Sequence, residues 1–258
     1  MRDKTMSQDT LIVWTGRALF LGLWMGAWEW IARTELLPPA FIGTPSKFIR
    51  QFWISLWDGS YLEATIVTMQ ATLAAFVVGA VAALLVAMVM SASPIIGKVL
   101  SPFVDAFNSL PRVALIPLFI IWFGLGMTQK VASGVSIMFF IVLSYTIAGA
   151  KSVDPDHVVL ARSLGIPRWK IFTTIVIPTA VPAIFSGLRL GMIYTILGVI
   201  TAEMLAGGEG LGTRVSYYSN IFDTNGVLAV LIVLVLLASA VSYVMSIIEN
   251  WIGRWRSI

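Results

Sequence analysis

Cysteine is absent from this chain, histidine occurs once, at His157, and Asp, Glu, Lys and Arg together make only 12% of its 258 residues. Without cysteine there are no disulfides, no thiolate nucleophiles and no sulfur-ligated metals. A single histidine, beside acidic residues that form no paired ligand spacing on one helix, speaks against a metal centre and against His-based nucleophilic catalysis. No Gly-rich loop ends in Gly-Lys-Ser/Thr, so the chain is not expected to bind and hydrolyse ATP by itself. Internal repeats, long linkers and low-complexity tails are missing too. The alternation of apolar and polar residues that a membrane barrel needs is also missing, and Val77 to Met90 holds no polar residue at all.

What is present is apolar surface: 58% of the residues are hydrophobic, with ten Trp and fourteen Phe. One soluble core cannot hide that much, so the bilayer must be the solvent. Each helical crossing takes roughly 20 mainly apolar residues, because unpaired backbone amides are too costly in hydrocarbon. Six candidate spans follow: Leu11 to Ala32, Ile66 to Met90, Leu100 to Phe123, Val131 to Ala150, Ala180 to Leu205 and Val227 to Ile248. The third is interrupted by Asp105, Pro111, Arg112 and Pro117, and five spans is the alternative count. The predicted fold is all-α and polytopic, one membrane domain over residues 1–258.

Basic residues near span ends stay preferentially in the cytoplasm. With six spans and the N-terminus inside, the cytoplasmic segments hold ten: Arg2, Lys4, Lys98, Arg112, Lys151, Arg162, Arg168, Lys170, Arg254 and Arg256. The outer segments hold five: Arg33, Lys47, Arg50, Lys130 and Arg214. This bias puts both termini in the cytoplasm, and it relates the net charge of +4 to topology and contact with anionic lipid rather than to nucleic acid. Arg2 and Lys4 before an apolar stretch also suit a signal peptide, but the stretch runs on through Trp24, Trp28 and Trp30 with no small-residue cleavage site, so it reads as an uncleaved first span. Between the first two spans, Leu36-Leu37-Pro38-Pro39 leads into a segment with Trp53 and Trp57 at helical spacing, predicted as a short helix on the outer leaflet.

The one polar, basic helical segment between two spans is 151–178. Asp154 suits an N-cap, Pro155 the first helical position, and Gly165 the left-handed residue that closes a helix, so a short helix is predicted from about Pro155 to Leu164. Pro167 opens a second helix with Arg168, Trp169 and Lys170, and Pro178 is expected to break or kink the chain as the fifth span begins.

Ala161, Gly165, Ile175 and Pro178 fall in the register of the cytoplasmic loop of bacterial ABC importer permeases: Glu-Ala-Ala, three residues, Gly, nine residues, Ile, one residue, Leu-Pro. Ile177 replaces the Leu, while Val159 and Leu160 stand where that family has Glu and Ala. Leu110 to Leu118, Trp122 to Gly126, Ser186 to Leu190, Ala202 to Met204 and Gly210 to Gly212 resemble the sulfonate, taurine and nitrate branch, and the likeness runs from Leu37 to about Tyr243. The resemblance implies a type I importer permease fold in a bacterial inner membrane. It implies two ATP-binding cassette subunits that carry ATP and Mg, a second permease copy and a periplasmic or extracellular binding protein. The 151–178 loop would be the coupling helix, docking through Ala161, Leu164 and Gly165, with Ser163 in the same turn and Arg162 and Arg168 as polar contacts. A secondary transporter or channel is the alternative on composition, but it would usually show inverted repeats and several buried charges. No cofactor is expected on the chain itself.

Charges at membrane depth are expensive, so Arg189 and Glu203 are the candidate substrate-pathway residues. Arg189 could equally snorkel or pair within the protein, and Glu203 could be an interfacial carboxylate or a gate contact. Glycines 187, 191 and 198, with Ala74, Ala75, Gly79 and Ala83, are expected to permit close helix packing. Glu29 is expected at the interface and Arg17 near the inner headgroups.

Overall fold

The computed structural model describes residues 3–34 and 38–253. Arg2, Leu36, Leu37, Arg254 and Arg256 lie outside the described residues, as does the side chain of Lys4. The described chain is helical: α1 (Asp3–Arg33), α2 (Pro39–Ile42), α3 (Pro45–Trp57), α4 (Ser60–Ala92), α5 (Pro94–Asn108), α6 (Ile116–Phe123), α7 (Met127–Lys151), α8 (Pro155–Ser163), α9 (Arg168–Ile171), α10 (Ile177–Ala206), α11 (Leu211–Asn220) and α12 (Thr224–Gly253). Among the described residues five helices are long and apolar enough to cross a membrane, Thr10–Arg33, Ser60–Ala92, Met127–Lys151, Arg168–Ala206 and Thr224–Glu249. A sixth crossing exists if α5 and the Arg112–Phe123 segment, bent by 83°, count as one. Pro111 accounts for that break, since the residue before a proline is driven out of the helical region, and Arg112–Leu115 continues only as a 3₁₀ turn.

Of the break or kink expected at Pro178, the structure excludes the break. Helical backbone runs on from Arg168 to Ala206. The adjustment comes earlier, as a π turn over Phe172–Val176 in which the Ile177 amide donates to the Phe172 carbonyl, five residues back. A proline in a regular α-helix collides with the carbonyl four residues before it, and the widened turn absorbs that collision. Threonine hydroxyls occupy nearby carbonyls: Thr173 to Trp169 at 3.1 Å, Thr174 to Lys170 at 2.5 Å, and Thr179 to Ile175 at 2.8 Å. Hence no span-breaking polar gap opens.

Contacts divide the chain into two compact units, 1–61 with 217–233 and 62–216 with 234–258. In the first, Glu29 is the organising residue. Its carboxylate accepts from Arg33 Nε at 2.7 Å, from the Ser46 amide at 3.0 Å and from Ser46 Oγ at 2.8 Å. Thr44 makes no side-chain cap on α3, so Glu29 supplies the negative charge at that helix N-terminus. Trp28 stacks between Trp24 and Phe48 and donates to the Ile42 carbonyl at 3.2 Å, and the Thr44 amide donates to Asn225 Oδ1 at 2.8 Å. The helix foreseen around Trp53 and Trp57 is α3, with both indoles exposed. Arg17 lies over the Trp14 ring.

In the second unit α7 and α10 run antiparallel in intimate contact, with α4 against them. Small residues set the approach. A Cβ at Gly134 of α7 would sit 2.7 Å from Ala75 Cβ and 3.2 Å from Val199, and one at Gly198 of α10 would sit 3.1 Å from the Gly134 backbone. Gly149 meets Ala183, and Gly187 and Gly191 meet Tyr145 and Val142, so the seam runs the length of both helices. Ala75, Ala83, Ala87, Met138, Val142, Leu143 and Val199 fill the space between them. Buried hydroxyls at Thr72, Ser133, Thr146 and Thr195 bond the carbonyl four residues back, while the buried Gln129 side chain finds no partner among the described residues. Gly134→Leu is therefore expected to cost about 1–3 kcal/mol or more through overpacking. Gly22→Ala, where nothing lies within 4 Å, should leave stability unchanged. Thermal unfolding of the purified variants in detergent checks the contrast.

Candidate functional site

The α7–α10 hairpin carries a polar feature at each end. At one end the connecting loop folds as the sequence suggests. Asp154 caps α8, its carboxylate accepting from the Asp156 amide at 2.9 Å, and Pro155 takes the first position. The helix closes with Gly165 at φ +75°, the Gly165 amide donating to the Arg162 carbonyl at 2.9 Å and the Ile166 amide to the Ala161 carbonyl at 3.1 Å. That pair of bonds with a left-handed residue is the Schellman closure, and glycine adopts it without strain. Pro167 then starts α9.

Arg162, Ser163, Leu164, Gly165 and Arg168 are all exposed on this loop. Ala161 is 4% exposed and lies against the groove beside the turn, so little of its side chain stands open. Sequence reasoning missed the apolar character of the outward surface, where Val159, Leu160, Leu164 and Trp169 all stand open to solvent. Leu160, Leu164, Ile166, Ile175 and His157 border an open groove of about 510 Å³ beside them.

At the other end of the hairpin lies a buried polar cluster built around Glu203, which is 0% exposed. Thr68 Oγ1 lies 3.0 and 2.9 Å from the two carboxylate oxygens, the Gly212 amide donates at 2.9 Å, and Lys130 Nζ, itself nearly buried, sits at 3.2 Å. Thr68 accepts in turn from the Leu211 amide at 2.9 Å, and Lys130 donates to the Glu209 carbonyl at 2.5 Å. The carboxylate thus holds the 207–212 loop against α4 and α7. Gly210, at φ +120°, is required there, since any Cβ would run into the Glu203 carboxylate.

Glu203 is therefore enclosed by the protein in this structure. A buried carboxylate must be paired and hydrogen-bonded, and this one is fully engaged. Lys130 was counted only as an outer-segment charge. A local trace of its partnership is the pair Thr68 and Thr72, one turn apart just before the unbroken apolar run from Leu73 to Met90. Arg189 pairs within the protein: Nη1 lies 3.3 Å from Glu249 Oε2, whose other oxygen accepts from Ser186 Oγ at 3.1 Å. Among the described residues no three His, Asp or Glu side chains come together as a metal site.

The Lys130–Glu203 pair predicts a distinctive stability pattern. Lys130→Met leaves a buried carboxylate unpaired and is expected to cost about 3–5 kcal/mol, whereas the double variant Lys130→Met/Glu203→Gln recovers much of that. Unfolding midpoints of both single variants and the double variant form the cycle that measures it. Equal losses, added without coupling, would contradict the pairing.

With this geometry in place, comparison with known proteins is informative. The family described as "Binding-protein-dependent transport system inner membrane component" matches residues 75–257. The riboflavin transport system permease protein RibX of Chloroflexus aurantiacus is 29% identical over 220 residues, covering 85% of this chain and 82% of that protein. The taurine transport system permease protein TauC of Escherichia coli is 27% identical over 240 residues, covering 91% and 87%. Among solved structures, an inward-facing form of the MetNI methionine ABC transporter has a chain that superposes with a TM-score of 0.66 at 17% identity, covering 76% of this chain and 96% of that one. At that identity the likeness speaks for the fold.

Proposed function

Because this chain belongs to the family of binding-protein-dependent transport system inner membrane components, we propose that it works as the translocation subunit of an ATP-driven importer, coupled to its motor through the α8–α9 turn. The carrying observation is that turn: a rigid, capped helix closed at Gly165, presenting Leu164, Arg162 and Arg168 outward from the end of the closest-packed helix pair. Two ATP-binding cassette subunits, holding ATP and Mg, would each seat one such turn. Two copies of the permease would form the pathway, and a periplasmic or extracellular binding protein would deliver the solute. ATP binding closes the motor subunits, draws the two turns together and switches the side to which the pathway opens.

This reading puts the loop and both termini in the cytoplasm, as the ten-to-five distribution of basic residues favours. The cargo is a small solute, and an anion such as a sulfonate, taurine or nitrate is the class we assign, supported by the likeness to a taurine permease. Arg189 and Glu203 act in it as positioning groups, through Glu249 and through the 207–212 loop. A secondary transporter gains no support from the described residues: both buried or half-buried charges that the sequence singled out are occupied by protein partners.

The test is co-purification with candidate ATP-binding subunits, followed by ATP hydrolysis and solute uptake in vesicles, for the native chain and Gly165→Pro. Proline requires φ near −65° where the native turn has +75°, so the variant should fold but lose at least about tenfold in coupled hydrolysis. Uptake that continues without any ATP-binding subunit would overturn the proposal.

A further inference from the structure

One polar cleft lies outside everything the transport reading uses. The last turn of α4, the first part of α5 and the last turns of α7 enclose a space of about 610 Å³. Its walls include Ser91, Lys98, Ser101, Asp105, Ser144 and Lys151. The ion pairs among the described residues involve neither lysine, while Asp105 accepts weakly from Ser101 Oγ at 3.4 Å. Two cations and one anion leave the cleft with an excess positive charge. The Ser91 hydroxyl at its wall is enclosed and has no hydrogen-bond partner in the protein, a vacancy that an incoming oxygen would relieve.

Position narrows the ligand. α4 and α7 both end here, so the cleft lies where hydrocarbon gives way to headgroups. α5 has two faces. Lys98, Ser101 and Asp105 recur at helical spacing on the side of the cleft, while Ile95, Val99, Phe103 and Phe107 are exposed. An amphipathic helix of that kind beds its apolar face among acyl chains and holds its polar face at headgroup level. Clustered lysines at that depth attract anionic lipid, and ammonium and hydroxyl donors match the oxygens of a phosphate diester.

We propose that this cleft seats the headgroup phosphate of an anionic phospholipid, with Lys98 and Lys151 as its cationic contacts and the Ser144 and Ser91 hydroxyls as donors. With the loop on the cytoplasmic side, the lipid belongs to the inner leaflet. The site does not depend on a motor subunit and can be tested on the purified full chain alone.

The experiment is thermal unfolding in a neutral detergent with added dioleoyl-phosphatidylglycerol, dioleoyl-phosphatidylcholine, or soluble glycerol phosphate. Phosphatidylglycerol should raise the midpoint of the native chain by about 3 °C or more over phosphatidylcholine, since a ligand that binds only the folded state stabilises it. Lys98→Gln/Lys151→Gln should abolish that difference, and Lys98→Arg/Lys151→Arg should retain it, which separates loss of charge from loss of fold. Equal effects of the two lipids on the native chain, or a difference that survives in the Gln pair, would overturn the site. A shift from glycerol phosphate as large as that from phosphatidylglycerol would keep the phosphate chemistry and overturn the lipid as its source.

Discussion

The close approach of α7 and α10 is the constraint on which the second unit depends. It exists because glycine occupies the crossing points: at Gly134 and Gly198 the two backbones come so near that no side chain fits. In lipid there is no hydrophobic drive to bring helices together, so contact of this closeness, with its dispersion energy, is what holds them. α7, 25 residues long, extends about 37 Å, enough to reach from one side of a bilayer to the other. What is fixed at one end of the pair is therefore mechanically continuous with what is fixed at the other.

Those two ends carry contrasting devices. At the loop end, capping and a left-handed glycine make a small rigid projection, cheap in energy because every terminal backbone group finds a local partner. At the opposite end a carboxylate is withdrawn from solvent, and its desolvation is offset by an ammonium, a hydroxyl and a backbone amide arranged around it. A buried ion pair of this kind adds little net stability but penalises any other arrangement of the loop it holds. The 207–212 segment, rich in glycine and otherwise free to move, is given one position by it. The α8–α9 turn and this loop thus sit at opposite ends of one closely packed helix pair.

Much of this was legible in the sequence, and the residues show why. Spans were readable because long apolar runs such as Val77 to Met90 admit no other solvent. The α8 turn was readable because Asp154, Pro155 and Gly165 each serve a local backbone need. Local rules failed where the partner is distant in sequence. Lys130 and Glu203 lie 73 residues apart, Thr68 a further 62 before Lys130, and nothing in the neighbourhood of any of them announces the others. The flanking tryptophans of Glu29 suggest an interface, but they do not reveal that its carboxylate accepts from Ser46 at the start of α3, which begins sixteen residues later. Ala161 falls at a motif position, and its low exposure is a matter of packing that the motif does not spell out. At Pro178 a break or kink is expected because proline costs a helix its regular bond; the chain does not break, and the compensating π turn is a sequence-context effect that a single residue does not reveal.

The central claim is that the α8–α9 turn is the seat of an ATP-binding subunit, and the absence of cysteine makes it directly testable. Leu164→Cys is then the only thiol in the chain, on an exposed side chain at the crown of the turn. Membranes containing this variant, the candidate ATP-binding subunit with one engineered cysteine on its surface, and a short thiol-specific cross-linker should yield a single heterodimeric product. The same reaction with Trp57→Cys, exposed on α3, should yield none. Cross-linking at Leu164 as the sole position, changing in yield with ATP, is the result this account predicts. No product at Leu164, or equal product from Trp57, would contradict it.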